Sequence, residues 1–226
     1  MATLETPHWE STPPETRRLL EAIGAFPFCR RFYLGGGTAL ALRLGHRISR
    51  DLDFFSETDE VGETMRGEIL SNLRQSFSEI EILTNAPGDL TVSVMSRDIG
   101  FYSYGYHMLE SQDELLNVGV AGLLDIAAMK FDAIAGRGAR RDFYDLYALA
   151  QHSPLEELLE RAQQKYPEAR DYPMTVMPYL IDFGNAERDK PIETQIPVEW
   201  SEVKGFFLAE VQRLAKGWFL PPEEKP

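Results

Sequence analysis

The chain has 226 residues, of which 43% are hydrophobic, with a formal net charge of −13 and one cysteine. That length and composition suffice for one large packed domain or two small ones. The lone Cys29 excludes an internal disulfide framework and fits a reducing compartment. The acidic balance argues against non-specific DNA binding, which relies on neutralising phosphates with Lys and Arg. No apolar stretch is long enough to span a bilayer, and Met1 to Glu21 has no apolar h-region. The expectation is a soluble, cytoplasmic protein with no membrane partner.

In chain order, residues 14–25 read as an amphipathic helix with Leu19, Leu20 and Ile23 on one side. Phe32-Tyr33-Leu34 reads as a short strand running into Gly35-Gly36-Gly37, where glycines permit a sharp turn and close backbone approach to a ligand. Thr38 is placed to cap the next helix, which carries Leu40, Leu42 and Leu44 and ends near Gly45. A strand bearing Asp51 and Asp53 follows. Residues 61–77 look helical. Three strands are expected over Glu79 to Thr84, Leu90 to Met95 and Phe101 to Leu109. They are separated by turns at Asn85-Ala86-Pro87-Gly88 and Ser96-Arg97-Asp98. From Val120 the pattern turns helical, over 120–136, 142–151, 154–165 and 201–217. The polar stretch from Asp182 to Val198, with Pro191 and Pro197, reads as a loop. The whole is an α/β N-terminal half followed by a helical C-terminal half.

Two groups of residues carry chemistry. Asp51 follows Thr38 by thirteen positions, and Asp51 and Asp53, at i and i+2 of a strand, share one face. Two like charges so close favour a shared cation. Mg²⁺ takes one or two carboxylates together with substrate phosphates, and backbone N–H groups at the start of the helix after the glycines can bind phosphate. No Gly-Lys-Ser/Thr follows the glycines, so this is not a P-loop. The second group lies between Lys130 and Asp145. At helical spacing Leu123, Ile126, Ala127, Phe131 and Ile134 form an apolar arc with Lys130 inside it and Arg137 near the same line. Asp142 and Asp145 sit beside Leu146 and Leu149 on the next helix. Charges on apolar faces need partners; a network bracing two helices and a catalytic role both remain open.

Basic residues flank both groups: Arg30, Arg31, Arg43, His46, Arg47 and Arg50 near the glycines, and Arg137, Arg140 and Arg141 near the helical motif. They suggest a locally positive site on an acidic body. The four histidines lack metal-ligand spacing, Cys29 has no identifiable base and reads as a buried small residue, and no nucleophile elbow is present. The aromatic run Phe101, Tyr102, Tyr104 and Tyr106 could stack bases, but reads better as hairpin packing.

Three blocks together resemble the nucleotidyltransferase-fold toxins of the AbiEii/AbiGii family. They are Tyr33-Leu34-Gly35-Gly36-Gly37-Thr38-Ala39-Leu40-Ala41-Leu42, Gly45 to Phe55, and Ala128-Met129-Lys130 through Arg137 to Arg141-Asp142-Phe143-Tyr144-Asp145-Leu146-Tyr147. The resemblance covers about Phe32 to Ala150. It implies an α/β (α+β) fold, a nucleotidyltransferase-like mixed-sheet core over 1–115 with a helical C-terminal region over 116–226. It implies Mg²⁺-dependent transfer of a nucleotide from an NTP to an RNA, tRNA among them, or to a protein acceptor. Members act in toxin–antitoxin or phage-defence systems, so a cognate antitoxin is the expected partner. Carried over, Gly36, Gly37 and Thr38 would hold the triphosphate, with Arg47 and Ser49 lining the pocket. Asp51 and Asp53 would bind metal. Lys130 and Arg137 would contact phosphate or the reacting centre, and Asp142 would be the essential acid of the helical half. A third carboxylate is expected on the strand Gly100 to Tyr104, where Ser103 is aligned to its position. The alternative is therefore a weakly active or inactive module of the same fold that binds nucleotide or a partner protein.

Overall fold

The structure, a computed structural model, describes residues 2–219. The chain divides into two units, Met1–Ile126 and Ala127–Pro226. The first contains a mixed sheet. Its strands are β1 (Ala2–Thr3), β2 (Tyr33–Leu34), β3 (Leu52–Ser56), β4 (Glu81–Ala86), β5 (Asp89–Val94), β6 (Arg97–Ser103), β7 (Asp113–Leu115) and β8 (Val118–Val120). Their order across the sheet is β1-β7-β8-β2-β3-β6-β5-β4. β3 runs parallel to β6 and antiparallel to β2, and β2 runs parallel to β8. This unit also holds helices α1 (Pro14–Gly24), α2 (Gly36–Leu44) and α3 (Glu63–Ser76).

Alternation along the strands separates a core face from a polar face. On β3, Leu52, Phe54 and Ser56 are buried while Asp53 and Phe55 are half-buried. Leu52 and Phe54 pair with Ile99 and Phe101 of β6, and the Phe54 and Phe101 rings stack at 5.0 Å. Leu90 and Val92 of β5, with Ile69 and Leu73 of α3, are fully buried as well. Burying side chains of this size contributes about 1.5–3 kcal/mol each, and it fixes the register, since a one-residue slip would turn every apolar side chain outward. Asp51, Asp53 and Phe55 are thereby held on the other face.

Helix α2 begins differently from expectation. Gly35, in extended conformation, is the flanking residue and provides no side-chain cap; Thr38 lies within the first turn. Gly36 is left-handed at φ +61°, and the helix ends as expected on left-handed Gly45 at φ +63°. A second difference concerns β6, which runs over Arg97–Ser103 rather than 101–109. The hairpin reverses at Met95 and Ser96, both left-handed (φ +52° and +59°), as a two-residue turn requires. Neither residue type announces such a turn, and the shift moves Asp98 from the expected turn into the strand. The expected Asn85–Gly88 turn forms, as Pro87-Gly88 between β4 and β5. The short strands β1, β7 and β8 carry too few residues to show a pattern.

Among the described residues the second unit is helical: α4 (Leu123–Gly136, which starts within the first unit), α5 (Arg140–Ala150), α6 (Leu155–Lys165), α7 (Tyr172–Val176) and α8 (Trp200–Phe219). Its core gathers on Phe143, whose ring lies 5.2 Å from Phe183, 5.8 Å from Trp200 and 5.5 Å from Phe207. The 182–198 stretch is irregular apart from a 3₁₀ turn at Ala186–Arg188 and an isolated bridge residue at Thr194. β8 pairs with β2 and so belongs to the sheet of the first unit.

Candidate functional site

In the first unit, the turn after β2 and the strand β3 are bound together at the site. The Gly35 N–H donates to the Asp53 carbonyl (2.9 Å), which sets the start of α2 beside the carboxylates. Two glycines make this possible. A Cβ on Gly36 would stand 2.7 Å from Asp53 Oδ2, and a Cβ on Gly37 would occupy the place of Arg47 Nη2 and come within 3.2 Å of Ser49 Oγ. Gly36 and Gly37 therefore let a carboxylate, a guanidinium and a hydroxyl close on the first turn of a helix, where unpaired N–H groups give a positive end.

Beneath that turn Thr38 is buried. Its hydroxyl reaches both Ser49 Oγ (2.9 Å) and the backbone carbonyl of Asp51. It thus ties the helix to the strand bearing the carboxylates instead of facing solvent. Arg47 is also buried, with Nη1 donating to the Ile48 carbonyl (3.1 Å). The other basic residues predicted around the glycines divide. Arg43 donates to Asp113 and to the carbonyls of Val120 and Ala121, Arg31 pairs with Asp59, and Arg30 and Arg50 are exposed. Arg47 is the member of that group set against the glycine turn.

The register corrects the position of the third carboxylate. Asp53 pairs with Gly100, and Ser103 pairs with Ser56. Ser103 is out of phase with Asp53 and belongs to the opposite face. The row through Asp53 continues across β6 and β5 as Gly100 and Thr91. Over Gly100 lies the phenol of Tyr102, filling the space a Cβ would take, with its Oη 3.4 Å from Thr91 Oγ1. Asp98, two residues before Gly100 on the same face, donates its backbone N–H to Asp51 Oδ1 (3.3 Å). Asp98, which the sequence reading sets in a turn, Gly100, which it passes over, and Tyr102, which it places only in an aromatic run, all stand on the carboxylate face. The signal that could have found them is the i, i+2, i+4 spacing, hidden by the unmarked turn at Met95-Ser96. Among the described residues no three His, Cys, Asp or Glu side chains form a group that could hold a metal ion. Asp51 and Asp53, at i and i+2 on this face, carry oxygen donors whose chemistry suits a hard oxygen-liking ion.

The second predicted group forms within the helical unit. Lys130 Nζ lies 2.9 Å from Asp142 Oδ1 and 2.6 Å from Asp145 Oδ2, with Lys130 4% exposed and both aspartates fully buried. Arg137, half-exposed, closes on Asp142 through two bonds of 2.8 Å. Burial alone would push the Asp142 carboxyl up, but the charges of Lys130 and Arg137 and the Arg137 hydrogen bonds outweigh it and hold it below its ordinary value. Asp145 completes the cluster. Of the neighbouring arginines, Arg140 donates to the Ala186 carbonyl and lies over the Trp200 ring, and Arg141 is exposed. Cys29 is buried, its thiol pushed up to about 12 by desolvation, as expected of a structural residue.

Comparison with known proteins bears on the family and the fold. The profile described as "Nucleotidyl transferase AbiEii toxin, Type IV TA system" matches residues 18–216. An uncharacterized protein of Aquifex aeolicus (strain VF5) is 33% identical over 202 residues, covering 88% of this chain and 95% of its own length. Two crystal structures from Helicobacter pylori have a similar fold. One, described as a candidate nucleotidyltransferase, has a TM-score of 0.52 at 16% identity, over 89% of this chain and 92% of its own. The other, JHP933, has a TM-score of 0.51 at 17% identity, over 96% of this chain and 94% of its own.

Proposed function

The chain belongs to the AbiEii nucleotidyl transferase toxin family of toxin–antitoxin systems, and from that premise we propose that it transfers a nucleotide from an NTP to an RNA or protein acceptor with Mg²⁺. The observation that carries the reading is the closure of Asp53 on Gly36: a Cβ added to that glycine would stand only 2.7 Å from Asp53 Oδ2, so the strand's carboxylate lies against the start of the helix, where a phosphate would bind. Asp51 and Asp53 would hold the metal, which when bound neutralises triphosphate charge. The N–H groups of Gly36 and Gly37 would take the phosphate oxygens, with Arg47 adding positive charge behind them. Thr38 holds Asp51 in place through its carbonyl, with Ser49 bonded to the Thr38 hydroxyl, and the two so act as positioning residues.

In the helical unit, Arg137 keeps half its side chain in solvent and is proposed to bind phosphate. Lys130 and Asp142 are proposed to be required for turnover, with Lys130 acting through its hold on Asp142. A cognate antitoxin is the proposed protein partner and the cytoplasm the proposed location; no helix among the described residues is long and apolar enough to cross a membrane.

A second reading, a module of this fold that binds nucleotide or a partner with little turnover, is favoured by one observation: glycine, not an acid, stands beside Asp53 on β6. Incubating the pure chain with each α-labelled NTP, Mg²⁺ and total RNA or cell lysate separates the two. Label transfer that disappears in Asp51→Asn and Asp53→Asn supports the transferase. Nucleotide binding without transfer leaves the module, and transfer that survives both substitutions sinks the assignment of the carboxylates.

A further inference from the structure

The polar face of β3 does not end at Asp53. Phe55, two residues on, continues the same face, roughly 6.5 Å along the strand. From Phe55 a run of rings leads outward. Its centroid lies 5.3 Å from Tyr102 and 5.4 Å from Tyr104, and Tyr104 lies 5.1 Å from Tyr106, which is 40% exposed. Tyr33 stacks on Phe55 from the other side at 6.0 Å. The aromatic run read from the sequence as hairpin packing is packed at one end and open to solvent at the other.

The segment that carries the outer rings is held by polar anchors. The N–H groups of Tyr104 and Gly105 both donate to the Ser56 carbonyl (2.9 and 3.3 Å). Met108 N–H donates to Glu57 Oε2 (3.2 Å), and His107 Nδ1 lies 3.2 Å from the same oxygen. Leu109 and Glu110 N–H donate to the two oxygens of Asp125 (2.9 and 3.1 Å), a fully buried carboxylate. A surface so fixed before binding loses little freedom on taking a ligand. One buried group among these anchors has no hydrogen-bond partner: the hydroxyl of Tyr33. Its acidity is suppressed first by burial and then by Tyr104, Asp125 and Glu57, which places it among the residues that support the ring-bearing segment. Buried hydroxyls are normally satisfied, and this one is an exception.

We propose that Phe55, Tyr104 and Tyr106 form a nucleobase-binding platform that continues the carboxylate face, with Tyr106 as the ring on which the base stacks. The proposal rests on the reading of Asp51 and Asp53 as the nucleotide site and names the part of the ligand that lies beyond the phosphates. Stacking suits the geometry because every base has a π-face that needs only a flat, fixed ring. The base comes either from the NTP or from an RNA acceptor, since both offer the same chemistry.

The test uses the full chain with three probes in Mg²⁺: inorganic tripolyphosphate, each of the four NTPs, and a short single-stranded RNA. Affinities are measured by calorimetry for wild type, Tyr106→Ala and Tyr106→Phe. Tyr106 is partly exposed, and unchanged melting curves verify that the variants fold. Loss of a stacked ring weakens binding roughly five- to hundredfold. A loss of that size for NTPs in Tyr106→Ala, with tripolyphosphate unaffected and Tyr106→Phe near wild type, identifies the donor base as the occupant. The same loss confined to the RNA identifies the acceptor base. If wild type binds tripolyphosphate but neither NTPs nor RNA respond to Tyr106→Ala, the platform is overturned while the carboxylate site stands. If wild type binds none of the three probes, the nucleotide reading of Asp51 and Asp53 fails and the platform falls with it.

Discussion

Lys130→Met removes the cation from a buried cluster in which two fully buried aspartates close on one ammonium group. Removing one partner of a buried pair costs about 3–5 kcal/mol. Here Arg137 still holds Asp142 through two bonds, so the lower end, about 3 kcal/mol, is expected. At about 2–4 °C per kcal/mol for a chain of this size, the melting temperature should fall by about 6–12 °C. The pH dependence carries a sign. Asp142 is held below its ordinary value in the folded chain, so its contribution is present above the unfolded value near about 4 and is lost as pH falls through the folded one. The attraction that Lys130 supplies exists only while the carboxylates are ionised. The gap between wild type and variant should thus be full at pH 7 and narrow as pH falls below about 4. Calorimetric melts across that range measure it, with label transfer per folded molecule recorded in parallel. A variant that melts within about 2 °C of wild type at pH 7 would falsify the bracing energetics, and transfer that persists at the wild-type rate per folded molecule would remove Lys130 from the turnover machinery.

Other substitutions probe the first unit. Gly36→Ala forces a side chain onto a left-handed residue, at about 1–2 kcal/mol, and sets a Cβ 2.7 Å from Asp53 Oδ2. It should lower the melting temperature by about 2–8 °C and abolish Mg²⁺–NTP binding in calorimetry; retained affinity would mean that the carboxylate need not close on the helix start. Gly100→Ala pushes a methyl group into the Tyr102 phenol and should cost about 1–3 kcal/mol as overpacking. Combined with Tyr102→Ala it should cost less than the sum of the two, and additive denaturation energies would show that the ring does not lie over Gly100 in solution. Cys29, buried with its thiol pushed up to about 12, should resist a thiol-reactive chromophore at pH 8 until denaturant unfolds the chain; prompt labelling of the native protein would contradict its burial.

The sequence made the carboxylate face legible because two independent periodicities agreed there. Asp51, Asp53 and Phe55 alternate with Leu52 and Phe54, and the glycines precede a run of leucines at helical spacing. The Lys130 cluster was legible for a similar reason, a charge inside an apolar arc. What stayed hidden was set by features without a residue signature. Met95 and Ser96 adopt left-handed conformations that their side chains do not favour, so the hairpin turn seemed to fall later, at Ser96-Arg97-Asp98. That displacement moved β6 four residues along, set Asp98 in a turn instead of on the strand and put Ser103 in the place that the register gives to Gly100. Thr38 was misplaced for a different reason. A threonine after glycines suggests a cap, but left-handed Gly36 lets the helix begin earlier and leaves the hydroxyl to bind the next strand.

The corrected register changes what the absent third carboxylate means. A serine in phase with Asp53 would have been a ligand lost by substitution; a glycine covered by the Tyr102 phenol leaves no room for an acid while that ring stays in place. Asp98 adds its backbone N–H to Asp51, yet no third acid joins the pair in a group that could hold a metal among the described residues. On the proposed reading, a Mg²⁺ ion at Asp51 and Asp53 completes its shell from triphosphate oxygens and water, as this ion commonly does. Metal and nucleotide then strengthen each other's binding by linkage, because each supplies charge that the other needs. A chain with a net charge of −13 gains from such coupling. Its body repels a free triphosphate, and Mg²⁺–NTP arrives carrying less negative charge. Arg47, buried behind the helix start, provides positive charge where the remaining phosphate charge would fall. The small number of acids at the site and the large number on the body are thus compatible with one nucleotide-binding design.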